Sequence, residues 1–218
     1  MSKIYIFSGL GADKRAFEKI DFSNYDYEFI DWIEPKDRES LEDYAFRISE
    51  KIITEKPVLI GLSFGGIVAT EVAKHITTEK VILSASAKTK FEIPKLYRWF
   101  GKLKLDKLIP ESLFMYPNIL LYWAFGVENN SDKILLSEII KDTNPKFLKW
   151  AIREILHWRN IHVVNNMIHI HGTKDRILPY RNIDSPIKVN NGGHFMIINK
   201  SKLLTQILKV EINKNLEV

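Results

Sequence analysis

Three side chains, far apart in the chain, have the types and the order that make an alcohol nucleophilic: Ser63, Asp175 and His194. A serine hydroxyl is a poor nucleophile at neutral pH. It needs a base to take its proton, and the base needs an acid to orient and support it. Ser63 stands in Gly61-Leu62-Ser63-Phe64-Gly65, between the apolar run Val58-Leu59-Ile60 and a helical pattern from Ile67 to His75. A serine between two glycines at a strand-to-helix turn reads as a nucleophile elbow. The turn is too tight for Cβ atoms on either side, so glycine is needed at 61 and 65. The serine oxygen is lifted above the sheet edge, and a backbone N–H is left beside it.

The other two residues follow strands. Asp175 ends His171-Gly172-Thr173-Lys174-Asp175, directly after an apolar strand, and His194 lies in Asn191-Gly192-Gly193-His194-Phe195, before the last helix. Asp175 would orient one ring nitrogen of His194 while the other meets Ser63. The rival position for the acid, the loop from Ser84 to Lys90, holds no carboxylate. Acyl transfer also needs donors for the developing oxyanion, commonly two backbone N–H groups. Here they would come from Phe64, after the nucleophile, and from Leu10 in Ser8-Gly9-Leu10-Gly11.

These residues need a scaffold, and the apolar patterning supplies one. Strands are expected at Lys3–Ser8, Tyr27–Trp32, Val58–Leu62, Val81–Ser86, Met167–His171 and Ile187–Asn190. Arg15 to Ile20 reads as a short helix. Ser40 is a plausible N-cap for a helix to about Thr54, with Leu41, Tyr44, Ala45 and Ile48 on one face. Glu42 and Asp43 suit its positive end. A helix from Ile197 to about Lys209 closes the pattern. Strands alternating with helices imply a mostly parallel six-stranded sheet covered on both faces, with catalytic loops at its carboxyl edge. The alternation stops after Ser86. Residues 87–166 read as a helical cap inserted after the fourth strand, and 1–86 with 167–218 as the α/β core. The insertion carries prolines at 94, 110, 117 and 145 and 12 of the 25 aromatic residues. Trp99, Trp123, Trp150 and Trp158 are expected to wall an apolar acyl pocket.

The 218 residues include no cysteine, which excludes disulfides and thiolate chemistry. The apolar run at Ile4–Phe7 is too short for a secretion signal, and no segment reaches the length of a membrane span. A cytoplasmic location is the simplest expectation. The net charge is +5, and the whole excess lies between Ala87 and Asn166, with 13 Lys and Arg against 8 Asp and Glu. Its densest part is Lys88, Lys90, Lys95, Arg98, Lys102, Lys104 and Lys107, against Glu92 and Asp106. Leu96, Trp99, Phe100 and Leu103 share one helical face there. That face could pack on the core, or it could meet an acidic acyl carrier protein or anionic lipid. No phosphate- or base-reading motif accompanies the charge, so nucleic acid is not expected as a partner. Gly9-Leu10-Gly11 is not a dinucleotide fingerprint, because Lys14 stands where the third glycine belongs. His169 and His171 alternate on one strand face without the further ligands a metal needs. No metal and no cofactor are expected.

On Gly61 to Gly65, His171 to Asp175 and Gly193-His194-Phe195, the chain resembles the α/β-hydrolase superfamily. The likeness covers residues 3–86 and 167–210 and weakens across the cap. It is strongest to the small capped branch that holds carboxylesterases, carrier-protein methyl esterases and hydroxynitrile lyases. Two features depart from the pattern. The first strand corresponds to the family's third, which implies six strands rather than eight, and Ser8 replaces a common histidine before the oxyanion glycine. Dehalogenases and epoxide hydrolases of the superfamily carry aspartate at the elbow, where this chain has Ser63. The resemblance therefore implies hydrolysis of a small to medium hydrophobic ester or thioester through an acyl-enzyme. A hydroxynitrile-lyase-like reaction, or ligand binding without turnover, are the alternatives it leaves.

Overall fold

Ile4–Phe7 (β1), Tyr27–Ile30 (β2), Val58–Leu62 (β3), Lys80–Ser84 (β4), Met167–Gly172 (β5) and Ile187–Val189 (β6) form one sheet in a computed structural model of the chain. The structure describes residues 2–10, 12–104 and 118–214. Gly11 and, within the expected cap, Asp106, Lys107, Pro110 and Pro117 lie outside the described residues.

The strand order is β2-β1-β3-β4-β5-β6, and every pairing is parallel. The sequence suggested a mostly parallel sheet; among the described residues no antiparallel strand is added. β3 is central, flanked by β1 and β4, so the turn that follows it opens at the middle of the carboxyl edge. The middle strands are apolar at successive positions because both faces are covered. Alternate side chains serve two separate cores. Tyr5, Phe7, Leu59, Val81 and Leu83 join one. Ile4, Ile6, Val58, Ile60 and Ile82 join the other.

Helices fill both faces: Leu41–Ser49 (α1), Phe64–Val72 (α2), Lys95–Lys102 (α3), Ile119–Phe125 (α4), Asn130–Asp142 (α5), Pro145–His157 (α6), Met196–Asn199 (α7) and Ser201–Asn213 (α8). α1 begins where its sequence says it should. The Ser40 hydroxyl accepts the Asp43 N–H at 3.1 Å, and Leu41, Tyr44, Ala45 and Ile48 are buried. It stops at Ser49 rather than near Thr54. Ile52-Ile53-Thr54 continues the apolar pattern, but three β-branched residues ahead of Pro57 are poor helix formers. The expected helix at Arg15–Ile20 is a single 3-10 turn, Lys14–Phe17, capped by Asp13. The closing helix is two helices separated at Lys200. Lys80, buried on β4, donates to the Glu211 and Ile212 carbonyls at 2.8 and 2.9 Å. A cation there satisfies the orphan carbonyls and the negative dipole end of α8.

The connection between β4 and β5 contributes to both cores. α6 places Phe147, Trp150 and Ala151 in the first, and α5 places Leu136 in the second. No helix among the described residues is long and apolar enough to cross a membrane.

Candidate active site

β3 runs into α2 with no intervening loop, and Ser63 is the hinge. Its backbone takes φ 51° and ψ −119°, a left-handed geometry that strains a residue with a Cβ. The strain persists because the surroundings fix the turn. The Ser63 N–H donates to the Ser84 carbonyl at 2.9 Å. The Ser63 carbonyl accepts the Gly66 N–H at 3.0 Å and the Ser86 hydroxyl at 2.6 Å. Glycine is required by close approach. A Cβ at Gly61 would lie 2.4 Å from the Gly66 Cα, and one at Gly65 would lie 2.1 Å from the Ser8 carbonyl oxygen. Gly66 is equally constrained, since its Cβ would meet the Ser86 hydroxyl at 2.3 Å. The motif did not single out Gly66 or Ser86, because neither has a neighbour in sequence that explains it.

The three separated residues meet at this edge. The Ser63 hydroxyl is 2.8 Å from His194 Nε2, and His194 Nδ1 is 2.8 Å from Asp175 Oδ2. Asp175 and His194 are buried; Ser63 is partly open. Asp175 uses its other oxygen to hold its own turn, accepting the N–H groups of Ile177 at 2.9 Å and Leu178 at 2.8 Å. Burial alone would raise the Asp175 carboxyl. The charge and hydrogen bond of His194, then His171 and the Leu178 N–H, outweigh it and hold the carboxyl below its ordinary value. Asp175 is therefore ionised throughout the neutral range.

Glycines bring the two loops together. A Cβ at Gly172 would lie 2.3 Å from the Gly192 carbonyl oxygen, so the acid turn and the histidine turn touch backbone to backbone. The segment between β4 and β5 helps to hold the imidazole. The Phe125 carbonyl accepts the Phe195 N–H at 2.9 Å, and the Phe125 ring stands edge-on to His194 with centroids 5.3 Å apart.

The loop after β1 comes alongside. An ideal Cβ at Gly9 would lie 3.7 Å from the Ser63 Cβ, so the loop that carries Leu10 runs beside the elbow. Phe64 is the first residue of α2, where a helix leaves its N–H groups without internal partners. Its ring packs against Trp32, Phe147 and Trp150, with centroids 5.5, 6.1 and 6.1 Å away.

The four tryptophans divide. Trp99 and Trp123 are each 56% exposed. Trp123 lies under the Arg176 guanidinium, 4.5 Å from its ring, and lines a cavity of about 430 Å³ with Tyr122, Gly126 and Arg176. Trp150 and Trp158 are only 9% and 5% exposed, which corrects their expected place on a pocket wall. The Trp150 indole N–H donates to the Glu39 carbonyl at 2.9 Å, over the Tyr44 ring. The Trp158 N–H donates at 2.7 Å to Glu71, a buried carboxylate also held by Lys74. Both rings fasten the segment between β4 and β5 to the elements that precede it. Among the described residues no group of three His, Asp or Glu side chains is placed to hold a metal ion.

Gly65→Ala is expected to destabilise the protein by about 3 kcal/mol, because the obstructing atoms are backbone and cannot rotate away. That corresponds to a melting temperature roughly 9 °C lower. A melting temperature lowered by less than about 2 °C, the shift of under 1 kcal/mol, would show that the β1 loop yields freely.

The sequence matches no protein-family profile and no curated protein. Solved structures do match along nearly the whole chain. A hydrolase from Oleispira antarctica superposes with a TM-score of 0.71 at 13% identity, covering 98% of this chain and 92% of its own. An esterase from Exiguobacterium antarcticum gives 0.68 at 15%, with the same coverages of 98% and 92%. An enol-lactonase from Burkholderia xenovorans gives 0.68 at 14%, again over 98% and 92%.

Proposed function

The chain has the α/β-hydrolase fold, and on that premise we propose that it is a serine hydrolase of carboxylic esters or thioesters. One observation carries the reading: two successive 2.8 Å contacts join Ser63, His194 and Asp175 at the carboxyl edge of the sheet. In this reading His194 Nε2 takes the proton as Ser63 Oγ bonds to the substrate's carbonyl carbon. The carbonyl oxygen becomes an oxyanion facing the N–H groups of Phe64 and Leu10. Collapse expels the alcohol or thiol, which leaves with the proton from His194. Water, deprotonated by the same imidazole, then releases the acid and restores Ser63. Asp175 keeps the Nδ1 proton on His194 and stabilises the imidazolium that forms twice in the cycle.

The surroundings support an apolar acyl group of modest size. Half-buried Trp32 packs against the ring of Phe64, the residue after the nucleophile, and half-buried Phe125 stands against His194. The basic stretch of α3 suits an acyl group presented on an acidic carrier protein. The names of similar structures, among them an esterase and an enol-lactonase, favour ester chemistry.

The test is an alkyl fluorophosphonate with intact-mass detection, followed by a series of p-nitrophenyl esters and acyl thioesters of rising chain length. One adduct per chain, located on Ser63, is expected, with kcat/KM rising and then falling as the acyl group outgrows the pocket. An unlabelled native protein would count decisively against the proposal. Cyanide release from a cyanohydrin, with no ester cleaved, would transfer the same triad to lyase chemistry.

A further inference from the structure

Behind the triad, β5 carries two buried imidazoles that hydrolysis does not use. His169 and His171 lie on the same face of the strand, 3% and 0% exposed. Their protons can be ordered from their partners. His171 Nε2 is 2.8 Å from the Leu178 carbonyl, which can only accept, so that nitrogen carries hydrogen. In a neutral ring Nδ1 is then bare, and His169 Nε2, 3.2 Å away, is its donor. His169 Nδ1 is left with the lone pair of a neutral ring, near the Ser86 backbone but outside hydrogen-bond geometry. Burial pushes both imidazoles below the ordinary histidine range, which keeps them neutral.

The position of His171 gives this order a consequence. Its Nε2–H is also 3.4 Å from Asp175 Oδ2, the oxygen that accepts from His194. Leu178 links the two groups a second time, since its carbonyl is held by His171 and its N–H by Asp175 Oδ1. The other titratable groups that face the pair are few. Glu92 Oε2 is 3.9 Å from His169 Nδ1, and that carboxylate is held by the backbone N–H groups of Lys88 and Asp184. The Lys88 ammonium lies 3.8 Å from Glu92 and 3.7 Å from Asp184. The Tyr180 ring is 6.4 Å from His171, and Tyr97 of α3 feels the Asp175 charge.

We propose that His171 is a positioning residue for the triad: held by the Leu178 carbonyl as an Nε2–H donor, it fixes the Asp175–Leu178 turn and shares the charge that Asp175 presents to His194. The proposal rests on the serine-hydrolase reading for its kinetic consequences, but its geometry can be measured without turnover. With the donor removed, the Asp175 charge would be less shared. The imidazolium form of His194 would be favoured, and a higher pH would be needed to free the base.

The experiment compares wild type, His171→Phe and His171→Gln by the pH dependence of p-nitrophenyl acetate hydrolysis, thermal melting, and the downfield NMR resonance of the His194 Nδ1 proton. Phenylalanine fills the space without a donor; glutamine returns an N–H close to the Nε2 position. His171→Phe is expected to lose about tenfold in kcat with KM within about twofold. The acid limb of its profile should move up by about half a pH unit, and the downfield resonance should shift. His171→Gln should recover both. A folded His171→Phe whose profile and resonance match wild type overturns the proposal, since a purely structural histidine would change the melt alone. If His171→Phe does not fold, His171→Leu removes the same donor with a smaller apolar side chain. It should shift profile and resonance in the same direction, and no shift there overturns the idea equally. A wild type that hydrolyses nothing yet shows a resonance that moves in these variants would sink the hydrolytic reading and leave the positioning role standing.

Discussion

Ser63→Ala is expected to lower kcat for the best ester by on the order of 10⁵ to 10⁶ and to abolish phosphonate labelling, while the protein stays folded. The loss is large because the hydroxyl alone forms and breaks the covalent bond. What remains is the oxyanion site and binding, which are worth far less without a nucleophile. The fold should tolerate the change for a reason visible in the turn. The strain at φ 51° belongs to any residue with a Cβ, so alanine neither relieves nor worsens it. The groups that hold the turn act on the Ser63 backbone, its N–H on Ser84 and its carbonyl under Ser86, and alanine keeps both. The side chain loses one hydrogen bond, to an imidazole still held by Asp175. Stability should change by about 1 kcal/mol at most. A variant that melts normally yet keeps a hundredth of wild-type turnover would mean that another group does the chemistry.

What the sequence disclosed depended on whether its cause was local. β3 has the expected limits because Val58 to Leu62 is an unbroken apolar run between Pro57 and the elbow. The start of α1 was legible because a cap is a local bond, whereas its end was not, since Ile52 and Ile53 extend the same hydrophobic period that the helix uses. Ser63, Asp175 and His194 were legible for the same reason: each sits in a short motif after a strand, and the parallel topology does the rest. Gly66 and Ser86 escaped notice because their constraint exists only where α2 crosses the loop after β4. Trp150 and Trp158 could be counted but not oriented. An aromatic residue in an insertion can face a pocket or the core, and only the carbonyl of Glu39 and the carboxylate of Glu71 decide it. His169 and His171 showed their shared strand face in the sequence. Their proton order depends on the carbonyl of Leu178, which no periodicity reveals.

Asp175→Asn isolates the part of the mechanism that depends on charge rather than shape. The amide oxygen can take over the bonds that Oδ1 accepts from Ile177 and Leu178, so the turn keeps its form. The amide NH₂ then stands where Oδ2 was, 2.8 Å from His194 Nδ1 and 3.4 Å from the His171 Nε2–H. It can only donate. His194 must answer by moving its proton from Nδ1 to Nε2, which turns the nitrogen facing Ser63 from an acceptor into a donor. Flipping the amide does not escape this, because NH₂ would then oppose the buried Leu178 N–H and the half-buried Ile177 N–H, at a cost of about 1–3 kcal/mol for the buried donor. The variant therefore keeps its geometry and loses its base. A fall in kcat on the order of 10⁴ is expected, with KM changed little and the downfield His194 resonance gone. Ser63 should also react more slowly with the phosphonate by a similar factor, because the reagent depends on the same proton transfer. If Asp175→Asn retains a tenth of wild-type kcat, the carboxylate is not what holds the base, and the support of His194 must come from elsewhere along β5.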